Sequence, residues 1–273
     1  MNYANLVAEI KRKKSFLCVG LDTDPTKIPA HLLSQSDDPV FEFNKCIIDA
    51  TLDYAVAYKP NLAFYEAQGP SGLTSLEKTM KHLNGRAFTI ADAKRGDIGN
   101  TAEMYAKSFY DHYGFDSVTI APYMGYDSLE PFLNYKDKWS IVLGLTSNKS
   151  AEDFQLLPQG DGLFYETVLK TFVKRASKEN LMFVAGATRP EMLLQIRKHA
   201  PEHFLLVPGV GAQGGSLKDV CKYGLTKDIG LLVNSSRQII YASNGFDFAD
   251  KANAEAKKMQ LEMQEIIEER IEK

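Results

Sequence analysis

The sequence predicts a closed (β/α)8 barrel, and three observations carry that expectation. Eight short apolar runs recur along the chain, segments of helical spacing separate them, and no Gly-, Pro- or Ser-rich linker interrupts the alternation over 273 residues. Strands that alternate with helices imply parallel pairing with both sheet faces covered. The length is ordinary for one such barrel. The expected unit is therefore a single domain over residues 1–273, closed by a C-terminal helix.

The eight runs are residues 16–22 (FLCVGLD), 54–59 (YAVAYK), 87–94 (AFTIADAK), 117–122 (SVTIAP), 139–146 (WSIVLGLT), 181–187 (LMFVAGA), 204–209 (FLLVPG) and 230–235 (GLLVNS). Most are continuously apolar rather than strictly alternating, as strands buried on both faces must be. Helical spacing recurs at 41–52, 73–83, 101–113, 164–177 and 191–199, and strong helical propensity marks 247–273, expected on the outside of the barrel. Residues 150–160 read as an insertion after the fifth strand. The basic run 11–14 reads as the solvated end of a first short helix, where cations suit the helix dipole.

A net charge of −3, with 44% hydrophobic and 25% charged residues, describes an ordinary globular chain. It argues against nucleic-acid or membrane partners, so any anion site must be local. No stretch has the length and apolarity of a membrane span or a signal peptide. Cys18, Cys46 and Cys221 are widely spaced and odd in number, which fits buried thiols in a reducing cytoplasm. His31, His82, His112, His199 and His203 lie away from the strand ends without ligand spacing, so no metal site is expected.

Barrel chemistry sits at the carboxyl ends of the strands. Those ends carry Asp22, Lys59, Asp92 with Lys94, Pro122, Thr146 with Ser147, Thr188, a glycine cluster, and residues 235–237. Asp92 and Lys94 are two apart on a strand and so share a face. Asp97 follows Gly96, and the capping-box spacing of Asn100 and Glu103 places the next helix start near Asn100, leaving Asp97 free on a loop. A plain ion-pair network closing the barrel is the competing reading of Asp-x-Lys. Adding Lys59 and Asp22 from neighbouring strands favours chemistry, because alternating charges keep each lysine protonated and each aspartate ionised. A protonated lysine held there is a proton donor suited to a carbanion.

Residues 209–214 match GxGxxG after a strand. A dinucleotide site is excluded by context, since the motif follows the seventh strand and the next strand ends in Asn234 and Ser235, not in an acid. Loops after strands seven and eight of barrels often bind phosphate through backbone N–H groups. Gly211 permits close backbone approach, and Arg237 just past strand eight offers a planar fork for the anion.

The segment DAKRGDI (92–98) resembles the signature of the orotidine 5'-phosphate decarboxylase family. So do VGLD (19–22), YKPN (58–61), APYMGYDSLEPF (121–132), LTSN (145–148), PGVGAQGG (208–215) and NSSRQIIYA (234–242), and the length resembles the longer bacterial subgroup. The resemblance implies decarboxylation of orotidine 5'-phosphate to uridine 5'-phosphate with no cofactor. Lys94 would stabilise and protonate the carbon-six carbanion, Asp92 would sit near the departing carboxylate, and Lys59 and Asp97 would complete the array and bind the ribose. It further implies Asp22 and Thr101 near the ribose, Ser147 at the pyrimidine edge, and Gln213 at the phosphate. Ser236, in the last motif, joins the substrate-binding residues. It also implies a homodimer with shared sites, the second aspartate of the motif reaching into the partner's barrel. Related sugar-phosphate barrels, which use magnesium, share DxKxxD and stay open as an alternative, as does a non-catalytic barrel that binds uridine monophosphate.

Overall fold

The computed structural model describes residues 1–187, 189–209 and 216–271, so Thr188, Gly211 and Gln213 lie outside the described residues. Eight parallel strands close a barrel: β1 (Leu17–Leu21), β2 (Ala55–Pro60), β3 (Phe88–Arg95), β4 (Ser117–Ile120), β5 (Trp139–Leu145), β6 (Leu181–Ala185), β7 (Phe204–Pro208) and β8 (Leu231–Ser235). Each strand pairs with the next in sequence, and β8 returns to β1 through Leu17↔Val233, Cys18↔Asn234 and Val19↔Ser235. Every bound falls within two residues of the expected one. The continuous apolar runs explain that agreement: β1, β2, β6 and β8 are buried at every position.

Helices α1 (Tyr3–Lys13), α2 (Pro39–Thr51), α3 (Pro70–Leu83), α4 (Gly99–Lys107), α5 (Phe164–Val173), α6 (Met192–His199), α7 (Leu217–Gly224) and α8 (Phe248–Ile271) surround it. Proline opens α2 and α3, where its fixed φ suits the first turn and no N–H is missed. The amino-terminal end of the barrel is plugged by α1. The Met1 ammonium pairs with Asp116, and Trp139 Nε1 donates to the Met1 carbonyl at 2.9 Å. Helix α8 lies outside the barrel against α2, with Asn253 Nδ2 donating to the Ala50 carbonyl at 2.7 Å.

Three local expectations are corrected, and the insertion after β5 gains a defined structure. The capping box at Asn100 and Glu103 does not form. Helix α4 begins one residue earlier, after Ile98, with no side-chain cap, because Gly99 at φ +54° makes the turn instead. The helical stretch 101–113 is not one α-helix, since α4 passes into a π-turn over Ser108–His112. The insertion after β5 is ordered as a short 3-10 turn, Lys149–Asp153, and a two-stranded antiparallel ribbon, Pro158–Gln159 with Gly162–Leu163. Lys13, in the basic run expected to be solvated, is buried and donates to the carbonyls of Leu52 and Ala55 at 2.6 and 2.7 Å.

Candidate active site

The carboxyl ends of β1, β2, β3 and β8 bring Asp22, Lys59, Asp92, Lys94 and Ser236 together. Lys59 Nζ donates to Asp92 Oδ2 at 2.9 Å and lies 3.8 Å from Asp22 Oδ1. Lys94 Nζ donates to Asp92 Oδ1 at 2.5 Å, so one carboxylate bridges two ammonium groups. Ser236 Oγ donates to Asp22 Oδ2 at 2.7 Å and also stands 3.0 Å from the Gly20 carbonyl. A Cβ on Gly20 would come within 2.5 Å of Ser236 Oγ, so only glycine lets β1 and the turn after β8 approach this closely.

Burial and charge act against each other in this array. Burial pushes the Asp92 pKa up, but Lys59 and Lys94 outweigh it and hold the carboxyl down at about 2. Burial pushes Lys59 down, and Asp92 with Asp22 more than reverses that, so its pKa is raised. Lys59 is therefore a fixed cation. The side chains of Lys59 and Asp92 are 6% and 11% exposed, whereas that of Lys94 is 52% exposed. The ammonium that faces open space at the barrel mouth is that of Lys94.

Lys94 reaches this position by a route that simple alternation does not describe. Between Ala91↔Val118 and Arg95↔Ile120, β3 carries two residues more than β4, which is a bulge. Lys94 sits in it at φ +49°, a left-handed backbone that costs a side-chain-bearing residue about 1–3 kcal/mol. The N–H groups of Ala93 and Lys94 lose their ladder partners there. Both donate to Thr119 Oγ1, at 2.9 and 2.8 Å. Arg95, next along, pairs with Glu66, donates to the Ala93 carbonyl at 2.9 Å, and stands over the Tyr105 ring at 5.3 Å.

Of the residues expected at the base and the phosphate, Ser147 and Arg237 lie among the described ones. Ser147 follows β5, and a Cβ on Gly186 would stand 2.9 Å from its backbone nitrogen, so glycine at the end of β6 makes room for it. The insertion reaches back to the same place. Gln155 accepts from the Thr146 N–H at 2.7 Å and donates to Thr146 Oγ1 at 2.8 Å. Arg237 is exposed at the first position of the helical turn Arg237–Ile240, and among the described residues it forms no salt bridge. Within one chain Asp97 and Thr101 do not join the array. Asp97 is half-buried and accepts the Ile98 N–H at 2.8 Å, and Thr101 is exposed on α4.

Sequence reasoning missed Thr119, Gly20, Gly186 and Gln155. A threonine inside the apolar run SVTIAP was a usable signal, because a buried hydroxyl must find partners. Nothing local marked Gln155. Among the described residues no group of His, Cys, Asp and Glu is placed to hold a metal ion, and no helix is long and apolar enough to cross a membrane.

A parallel eight-stranded barrel with its charges gathered at the carboxyl ends of the strands defines a (β/α)8-barrel enzyme. Comparison with known proteins narrows the class: the chain belongs to the orotidine 5'-phosphate decarboxylase / HUMPS family, whose model matches residues 15–251. It is 58% identical over 271 residues to the orotidine 5'-phosphate decarboxylase of Christiangramia forsetii, covering 98% of this chain and 99% of that one. Among solved structures, the putative orotidine-monophosphate-decarboxylase of Toxoplasma gondii superposes with a TM-score of 0.86 at 36% identity, covering 97% of this chain and 98% of that one. The Leishmania donovani OMP decarboxylase superposes with a TM-score of 0.79 at 37% identity, covering 96% and 99%.

Proposed function

We propose that this protein removes carbon dioxide from carbon six of orotidine 5'-phosphate, giving uridine 5'-phosphate, without a cofactor. The observation that carries the reading is the bridged array in which Asp92 Oδ1 holds the Lys94 ammonium at 2.5 Å at the mouth. The bond between carbon six and the carboxylate breaks, its electron pair stays on carbon six, and carbon dioxide leaves. The Lys94 ammonium stabilises that anion and then gives it a proton, and the neutral amine regains one from water. Asp92 keeps Lys94 charged and aimed. Asp22, Lys59 and Ser236 take the ribose hydroxyls. Ser147 reads the pyrimidine edge, and Gly211, Gln213 and Arg237 take the phosphate. Binding energy from that remote phosphate serves the reacting end of the substrate.

The deciding experiment follows loss of the orotidine monophosphate chromophore with purified protein in EDTA. Turnover in EDTA supports the reading. Turnover of sugar phosphates that EDTA abolishes supports the magnesium-dependent branch, and nucleotide binding without turnover supports a sensor.

The same reading makes the active unit a cytoplasmic homodimer in which Asp97 and Thr101 serve the partner's site, each chain forming one barrel domain. Its support is that one chain leaves both residues outside its own array, while Ile98, Met104, Tyr123 and Met124 are exposed on or beside the loops after β3 and β4. Lys94→Ala and Asp97→Ala should each be nearly inactive. Two-fold exchange gives each mixed dimer one intact site, so refolding them together should return about a quarter of wild-type activity. No return would mean that both residues act within one chain.

A further inference from the structure

We propose that Thr119, on β4, is a positioning residue that holds Lys94 in its working conformation, an inference that rests on the decarboxylase reading above. Thr119 is 1% exposed, one rung below the mouth, in register with Ile141 of β5. The bulge in β3 frees two adjacent, partly buried N–H groups beside a buried hydroxyl, and an N–H turned away from water needs a partner. One hydroxyl oxygen takes both, from Ala93 at 2.9 Å and from Lys94 at 2.8 Å.

That double acceptance uses both lone pairs of the hydroxyl and leaves it one hydrogen to give. The acceptors within reach are the Ala91 carbonyl at 3.4 Å, just before the bulge, and Asp92 Oδ1 at 3.3 Å, at its start. Asp92 Oδ1 is the same oxygen that receives the Lys94 ammonium at 2.5 Å. Thr119 thus touches Lys94 at its backbone and touches the carboxylate that orients its side chain. A left-handed lysine persists only where surrounding structure over-determines it, and here a hydroxyl from the adjacent strand supplies the constraint. Valine would fill the same space and accept nothing. The two N–H groups would then have to rotate toward other partners, carrying Lys94 out of line.

The test compares Thr119→Val and Thr119→Ser with the wild type. Thr119→Val should lower kcat about 100-fold, the scale of a displacement near 1 Å in a reacting group. Inhibition by uridine monophosphate, which needs the ribose and phosphate contacts but no proton transfer, should stay unchanged. Thr119→Ser, which restores the acceptor, should recover most of kcat. If Thr119→Val does not fold, Thr119→Cys serves in its place, because a thiol of similar size is only a weak acceptor. Equal kcat in Thr119→Val and an active wild type overturns this role alone. So does a parallel loss of turnover and uridine monophosphate binding that serine does not restore, the mark of general unfolding. A wild type inert toward orotidine monophosphate overturns the functional reading and this role with it.

Discussion

The two ends of the barrel both bury cations, and they treat them in opposite ways. At the carboxyl end Lys59 is held by Asp92 and Asp22, and its pKa is raised. At the amino end Arg197 donates to four carbonyls, those of Gly224, Ala200, His203 and Gly230, at 2.7, 3.0, 2.6 and 2.8 Å. Neutral carbonyls satisfy its N–H groups but do not offset its charge, so burial pushes its pKa down to about 9. Lys13 follows the same rule: burial pushes its pKa down although Glu9 lies at 3.2 Å. His203, beside Arg197, has neither ring nitrogen hydrogen-bonded among the described residues. A cation set among carbonyls ties loops together. A cation set among carboxylates keeps a charge that chemistry can use.

The contrast breaks most visibly at Lys94. Lys94→Ala should cut kcat by on the order of 10⁴-fold or more, the upper end of what one general acid contributes. It should leave the unfolding midpoint in urea nearly unchanged, because the side chain is half exposed. A correctly folded variant with near-normal turnover would remove Lys94 from the mechanism.

Arg197→Met should do the reverse. Leaving those carbonyls unbonded should cost about 3–5 kcal/mol of stability, as loss of a buried charged partner does. Below the unfolding transition, kcat and KM should match the wild type. A kinetic defect in the folded variant would show that the two ends are coupled.

Arg237→Ala sharpens the contrast from the side of the mouth. It should cost about 2–5 kcal/mol in kcat/KM for the monophosphate, the scale of a desolvated charge contact. The slow reaction of orotidine, which carries no phosphate, should barely change. Equal loss on both substrates would place Arg237 elsewhere in the site.

The two ends were not equally legible in the sequence. The strands were, because parallel strands covered on both faces must be apolar throughout, and the eight runs stand out. The charged mouth was legible for the complementary reason: Asp22, Lys59, Asp92 and Lys94 interrupt or end apolar runs where a plain strand would not carry them. Spacing placed Asp92 and Lys94 on one face, and they do meet. The path through a left-handed bulge was hidden, because it depends on a hydroxyl from the adjacent strand, residue 119. The amino end was nearly silent. Arg197 sits in a helix with ordinary spacing, and its partners come from the end of α7 and from the segments before β7 and β8, which the closed barrel brings together. The ribbon at 158–163 was hidden too, since two-residue strands leave no periodicity to read.

Acid should separate the two ends without any change in the active site. Burial first, and the nearby Arg197 charge second, push the His203 pKa down to about 4. In the unfolded chain it lies near the ordinary value of about 6.5. Between those two values the unfolded state binds a proton that the folded state refuses, so stability falls as pH drops through that window. The loss amounts to at most about 3 kcal/mol once pH reaches the lower bound. Asp92 behaves differently. Its carboxyl, held at about 2, stays ionised throughout the window, and its own contribution is lost only as pH falls from about 4 toward 2. At pH 5 the amino end should therefore be weakened while the array at the mouth is intact. His203→Leu removes both unbonded nitrogens and the protonation that unfolding would gain. Urea denaturation of the two proteins at intervals from pH 7 to pH 4.5 should show the wild type losing stability more steeply than the variant. Parallel curves would mean that His203 takes up its proton as readily in the folded barrel as outside it, and that the amino end is no less tolerant of charge than the mouth.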